Sequence, residues 1–299
     1  MQYIQHNDMK KFFITLGWIA AMLTAISCNK VSSDDSRLGA IVLDETQLNL
    51  FVGDSHQLNA TLLPESYKGT VALIWSSSDE KVATVSQGQI RAIAKGKATI
   101  TASDKDGRVT AECKVSVRNH CPEGAVDMGL DVYWATCNLC ESGFVSSPEK
   151  YGDFFAWGET KAKTDYNESK YTYRDNPNTL PPAADAAHVI LGAGWRMPTL
   201  EDCYALFDNC TLLWKTSQAG VTGGLFTSKI TGNSIFLPAA GQQWGTRIDE
   251  RGNYGYYRSS TISGDYFLGA HSIWLVSWTG MRDIGNMRYT GQSIRPVSE

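Results

Sequence analysis

The chain has 299 residues, enough for two hydrophobic cores rather than one. Its 27 basic and 31 acidic side chains give a net charge of -4 with no basic cluster, which argues against nucleic acid or an anionic bilayer surface as a partner. Aromatic residues at 11% and 27 glycines point to β structure joined by turns.

The first stretch reads as a processing signal. Lys10 and Lys11 precede an apolar run over residues 12–26, which has the length of a secretory signal core and is short for a bilayer span. Met9 offers an alternative start. The run closes on Leu23, Thr24, Ala25, Ile26, Ser27 and Cys28, and this ending resembles a bacterial lipobox, with Ala25 where a larger aliphatic side chain is usual. The resemblance implies that residues 1–28 are a lipoprotein signal ending in an acylated Cys28; an ordinary cleaved signal is the alternative. Acyl chains contribute about 0.8 kcal/mol per buried methylene, so several on one cysteine make a firm anchor. Residues 29–38 are then a polar tether.

Residues 39–118 read as short strands at regular spacing. Ala98, Ile100 and Ala102 alternate with polar neighbours, as do Val109, Ala111, Cys113, Val115 and Val117, so each run is a half-buried pleat. Cys113 falls inward and reads as a core thiol. His56 reads as structural. Further landmarks are Leu48, Val52, Gly53, Leu58, Ala60, Pro64, Trp75, Asp79, Val82, Val85, Gly88 and the run from Ile93 through Lys97. In this order they resemble a bacterial Ig-like domain of group 2, as found in surface proteins and adhesins. The resemblance implies a β-sandwich used as a rigid spacer.

In the remainder, Pro198 cannot sit inside a helix, and Thr199 with Asp202 makes a capping box, so a helix begins at Leu200. Cys203, Leu206, Phe207 and Cys210 recur at i, i+3, i+4 and i+7, an apolar face that carries both thiols inward. Residues 226–230 and 234–237 flank Thr231, Gly232 and Asn233, a hairpin signal. Farther on, Tyr254, Tyr256 and Arg258 share one side of an extended stretch with Tyr257 opposite, while Trp274, Val276 and Trp278 share a side with Ile273 and Leu275 opposite. One reading is a strand buried on both faces. The other is that Trp244, Tyr254, Tyr256, Arg258, Trp274 and Trp278 edge a shallow groove that stacks on sugar rings or a peptide, since flat side chains give contact area at low entropy cost.

Motifs at 125–130, 132–138, 151–159, 185–188, 194–199, 233–241, 254–260 and 291–297 resemble, in order, the major paralogous (FISUMP) domain of bacterial lipoproteins. Trp134, Trp195, Arg196, Pro198, Arg295 and Pro296 are among the matching residues, and Arg258 stands where that pattern usually has tryptophan. The resemblance implies that residues 119–299 form a C-type lectin-like α+β domain whose first strand, near Val126, pairs with the last, near Ile294. Trp195, Arg196, Pro198, Arg295 and Pro296 read as fold residues. The segment from Arg196 to Asp202 is also similar to the helix start of formylglycine-generating enzymes.

Besides Cys28, the six cysteines Cys113, Cys121, Cys137, Cys140, Cys203 and Cys210 allow fifteen pairings among which sequence does not choose. The FISUMP resemblance implies a bridge between Cys137 and Cys210. Cys140 and Cys203 stand where that family usually lacks cysteine, and a second, neighbouring bridge between them is expected only because each lies three or seven residues from a member of the first pair. The spacing of Cys137 and Cys140 also raises redox or zinc chemistry, but no βαβ context or second ligand pair accompanies it.

Catalysis finds little support. The formylglycine-generating oxidases use a cysteine pair late in the domain, whereas no cysteine follows Cys210. His120, His188 and His271 lack a nucleophile or carboxylate at catalytic spacing; Asp185 and His188 read as a surface i, i+3 contact. The Glu-Pro-Asn and Trp-Asn-Asp triplets of calcium-dependent sugar binders are missing. The expectation is a non-enzymatic outer-membrane lipoprotein, mainly β with α+β, an Ig-like sandwich followed by a C-type lectin-like head, without cofactor or metal. Its expected partners are the membrane, through the lipid anchor, and a glycan or protein ligand. The alternative is a non-catalytic structural or assembly component of the envelope.

Overall fold

The structure is a computed structural model that describes residues 37–65, 67, 71–264, 269–277 and 280–299, leaving aside the side chains of 280–284. Cys28, the expected signal and Trp278 lie outside the described residues.

The first unit is built from alternation. Its strands are β1 (Ala40–Leu43), β2 (Gln47–Phe51), β3 (Ser55–Gln57), β4 (Ala60–Leu63), β5 (Ile74–Ser77), β6 (Ala83–Ser86), β7 (Gln89–Ala92), β8 (Gly96–Ser103) and β9 (Thr110–Arg118). They form a four-stranded sheet β2-β9-β8-β5, a three-stranded sheet β3-β7-β6, and the pair β1-β4. β8 and β9 alternate as read: Ile100 lies opposite Cys113, and both are fully buried. β2 runs parallel to β9, setting Leu48 beside Val115 and Leu50 beside Val117. These side chains, with Leu58 and Ile90, make one apolar core. Gly88 is required in its turn: φ is +81°, and a Cβ there would meet the Leu58 carbonyl oxygen at 2.4 Å. His56 faces Glu45 at 3.2 Å.

The two units touch. Phe51 stacks on His120 with centroids 4.9 Å apart, and Arg118 donates to the Leu130 carbonyl at 2.8 Å while lying over the Tyr133 ring. Glu299 pairs with Lys95 of the first unit and Arg196 of the second.

The second unit comprises β10 (Ala125–Val126), β11 (Tyr133–Ala135), β12 (Leu139–Cys140), β13 (Gly143–Phe144), α1 (Ala186–Leu191), β14 (Trp195–Arg196), α2 (Leu200–Asn209), β15 (Cys210–Thr216), β16 (Thr222–Ser228) and β17 (Ser234–Pro238). It continues with β18 (Gln242–Trp244), β19 (Arg247–Asp249), β20 (Gly255–Ile262), β21 (Gly269–Val276), β22 (Gly280–Met287) and β23 (Val297–Ser298). The sheets run β10-β11-β23-β14, β15-β16-β17 and β20-β21-β22, with the pairs β12-β13 and β18-β19. The fold as described is mainly β, with two short α-helices.

The expected pairing of first strand with last needs correction. β11 lies between them, because the Asp127 carboxylate accepts the Gly129 N–H at 2.8 Å and the turn folds β10 back onto Trp134. Residues 119 and 299 still meet, Asn119 donating to the Glu299 carbonyl at 2.7 Å.

α2 begins where the capping box places it. Thr199 Oγ1 accepts the Asp202 N–H at 3.1 Å, and the Asp202 carboxylate accepts the Thr199 N–H at 2.8 Å. Its apolar face carries Cys203 and Leu206 into a core with Trp134, Phe226, Leu237 and Leu275, and Cys210 joins them just beyond the helix. β16 and β17 form the expected hairpin, with Gly232 at φ +78°.

Candidate functional site

The register of β20 and β21 decides which aromatics face the core. Tyr257 lies opposite Ile273, and both point with Leu275 into the α2 core; Tyr256 lies opposite Trp274 on the other face. There Tyr256 and Trp274 stack nearly parallel, 18° apart in plane and 6.4 Å between centroids, and Tyr254 closes on Trp274 at 5.5 Å. Tyr256 is 6% exposed, whereas Tyr254 and Trp274 are half-buried. β21 is therefore largely buried on both faces, since Ala270, Ser272 and Val276 are buried on the side of Trp274 as well, and on that side only Trp274 and the neighbouring Tyr254 keep partial exposure.

The Tyr256 hydroxyl donates to the carboxylate of Glu250. Burial holds its phenol well above the ordinary range, and the neighbouring carboxylate pushes the same way. Glu250 sits at φ +63°, a backbone region that non-glycine residues seldom adopt. Its carbonyl accepts the N–H groups of Asn253 and Tyr254, so this turn fixes where Tyr254 leaves the hairpin.

The structure places the other expected groove residues elsewhere. Arg258 is a correction: it is fully buried and cannot edge a groove. Its guanidinium donates to Ser272 Oγ at 3.0 Å and to the carbonyls of Met287 and Thr290 at 3.0 and 2.9 Å, because the segment after β22 folds over this part of the sheet. Burial lowers its pKa to about 9, which leaves it charged at neutral pH. Trp244, on β18, is 49% exposed and packs edge-on against Tyr289 at 5.3 Å, not against the triad.

The fold residues behave as read. Arg196 pairs with Asp202 at 2.6 Å. Arg295 is fully buried and donates to Asn138 Oδ1 and to the carbonyls of Ala135, Thr136 and Phe236 at 2.8–3.1 Å. A third buried arginine, Arg288, lies over the Trp157 ring at 4.5 Å and binds Asn176 and two carbonyls.

Two further expectations are corrected. No disulfide joins the six described cysteines, so neither the Cys137–Cys210 nor the Cys140–Cys203 bridge is present. Cys203 and Cys210 pack in the α2 core, while Cys137 lies beside Thr136 Oγ1 and Cys140 beside Ser142 Oγ on a separate hairpin. Asp185 is not a surface partner of the His188 ring. It is 3% exposed and caps α1, accepting the backbone N–H groups of His188 at 3.0 Å and Met197 at 2.8 Å. Burial raises its pKa against the lowering effect of those donors. Among the described residues, no three His, Cys, Asp or Glu side chains converge as a metal ion would require.

Sequence reasoning missed Glu250, Tyr289 and Gln242. No local pattern marks a glutamate for positive φ, and the partners of Trp244 come from distant segments.

Comparison with known proteins agrees with the first unit. Residues 40–115 match the family described as bacterial Ig-like domain (group 2). The chain is similar to an α-L-arabinofuranosidase of Bifidobacterium longum subsp. longum, 34% identical over 134 residues, which are 43% of this chain and 12% of that protein. It is also similar to an uncharacterized protein of Clostridium acetobutylicum, 39% identical over 82 residues, 26% of this chain and 8% of that one. The chain thus spans about an eighth or less of the curated relatives it matches. Among solved structures, domains 5-6 of the S-layer protein SbsC align over 87% of this chain and 97% of that one at 12% identity and a TM-score of 0.25. Domains 4 and 5 of SbsC align over 27% and 52% at 22% identity and a TM-score of 0.24.

Proposed function

We propose that this chain is an exported lipoprotein, anchored to the outer membrane through Cys28, in which an Ig-like spacer of residues 39–118 presents a FISUMP, C-type lectin-like head of residues 119–299 to a glycan or protein ligand. The head recognises rather than transforms its ligand, and Tyr254 and Trp274, backed by buried Tyr256, form its contact face. The observation that carries this reading is the partial exposure of Tyr254 and Trp274, packed on buried Tyr256, on the side of β20 and β21 away from the α2 core. Tyr256 is held by Glu250 and backed by the sheet, so the rings are fixed before a ligand arrives, which lowers the entropy cost of stacking. The spacer rests on the family match at residues 40–115. The anchor rests on the lipobox-like ending at Cys28.

The test is binding of the full-length protein to an array of glycans and host matrix proteins, beside Trp274→Ala. Selective binding that weakens about tenfold or more in a variant with unchanged circular dichroism supports a recognition head. A well-folded protein that binds nothing would turn the assignment to an envelope structural component.

A further inference from the structure

The triad is not the sole aromatic feature of the head with a solvent face. β18 and β19 form a ribbon closed by a two-residue turn, with Gly245 at φ +58° in a position that suits glycine. The register sets Gln242 opposite Asp249 and Trp244 opposite Arg247, so all four side chains project from one face of the ribbon. Trp244 is anchored on one side by Tyr289 and leaves about half its surface in solvent. Arg247 and Asp249 pair beside it.

The orientation of the Gln242 amide follows from two independent chains of hydrogen bonds, each starting at a donor of fixed identity. A backbone N–H, that of Met287, donates to Asn286 at 2.8 Å, so the acceptor is Oδ1 and the Asn286 NH2 must be the group that donates to Gln242 at 2.9 Å. From the other side, the Arg258 guanidinium can only donate, so Ser272 Oγ accepts from it and passes its own proton to Gln292 Oε1 at 2.6 Å. The Gln292 NH2 then donates to Gln242 at 3.2 Å. Both chains end on the same atom: Gln242 Oε1 is turned inward as a double acceptor, and its NH2 is left pointing away. No described residue accepts from that NH2.

We infer that the Trp244 face of this ribbon is a binding subsite for a hexopyranose ring, with the indole under the C–H face of the sugar and the Gln242 NH2 and Asp249 carboxylate at its hydroxyl rim. A sugar ring fits better than an apolar peptide because the exposed apolar surface is one flat indole flanked by a pre-oriented amide donor and an ion pair, not a groove. The buried Arg258 helps to set the orientation of Gln242 from below. This inference rests on the reading of the head as a recognition module, but it places a contact on a different ribbon from the triad.

The experiment is calorimetric titration of the full-length protein with trisaccharides of glucose, mannose, galactose and N-acetylglucosamine, comparing Trp244→Ala, Gln242→Glu and Trp274→Ala. Gln242→Glu keeps the one inward oxygen that accepts from both Asn286 and Gln292 and replaces the outward donor with a negatively charged acceptor. We expect at least one trisaccharide to bind, Trp244→Ala to weaken it about thirtyfold, and Gln242→Glu to weaken it about tenfold with an unchanged melting temperature. Loss of binding in Trp274→Ala with none in Trp244→Ala would overturn this subsite and leave the triad standing; the converse would do the reverse. Wild-type protein that binds none of the four would also overturn it.

Discussion

Arg295 shows how a charge is kept in a protein interior without a carboxylate. Three backbone carbonyls and Asn138 Oδ1 surround the guanidinium and tie β11, the strand-end segment after it and β17 to one side chain. Burial alone would penalise the charge, and its pKa is accordingly held below the usual arginine value. Arg295→Met removes the cation and leaves those acceptors without their donor. The expected cost is about 3 kcal/mol or more, read by urea unfolding; a loss below about 1 kcal/mol would mean that water replaces the guanidinium freely. Sequence announced Arg295 as a fold residue through its family-like setting beside Pro296. The same reasoning placed Arg258 in a groove, because which residues of a strand are covered depends on the loop that crosses them.

At the scale of elements, α2 is the piece most fully written in its own sequence. Pro198, Thr199 and Asp202 set its start locally, and the spacing of Cys203, Leu206 and Phe207 sets its inner face. Thr199→Ala deletes one half of the capping box and should destabilise the head by about 1 kcal/mol. Thr199→Ser should restore most of that in thermal unfolding, because it keeps the accepting oxygen. Asp202 also pairs with Arg196, so its replacement should cost more than that of Thr199. The alternating strands β8 and β9 and the β16–β17 hairpin were equally legible, since period and turn chemistry are local. The insertion of β11 between the first and last strands was not, because it depends on a turn at 127–132 whose partners lie far along the chain. The aromatic site was half legible: alternation separated Tyr256 from Tyr257 and Trp274 from Ile273, while the distance of Trp244 from the triad arose from long-range packing.

Over the whole molecule, the head should be the alkali-sensitive part. Tyr166, Tyr171, Tyr256 and Tyr257 all have phenol pKa values raised chiefly by burial, Tyr257 to about 12. A raised folded-state pKa gives stability that is fully present below the unfolded value, about 10, and is lost as pH climbs through the folded value. Arg258 and Arg295, whose values are lowered, oppose this trend, but the four tyrosines outnumber them. Unfolding midpoints should therefore fall between pH 10 and 12. Absorbance at the tyrosinate band should show part of the 13 tyrosines titrating only as the fold gives way. Smooth titration of every tyrosine near 10 would contradict this.

The parallel pairing of β2 with β9 has a mechanical consequence for any protein that holds a ligand against flow. Tension that reaches the start of β2, once β1 has parted from β4, and leaves beyond Arg118 pulls these two strands along their length in opposite directions. Five residue pairs, from Gln47 with Lys114 to Phe51 with Arg118, then bear the load side by side instead of parting one after another. Rupture has to break the ladder as a block, so the first unit resists extension along the line that joins the start of β2 to the end of β9.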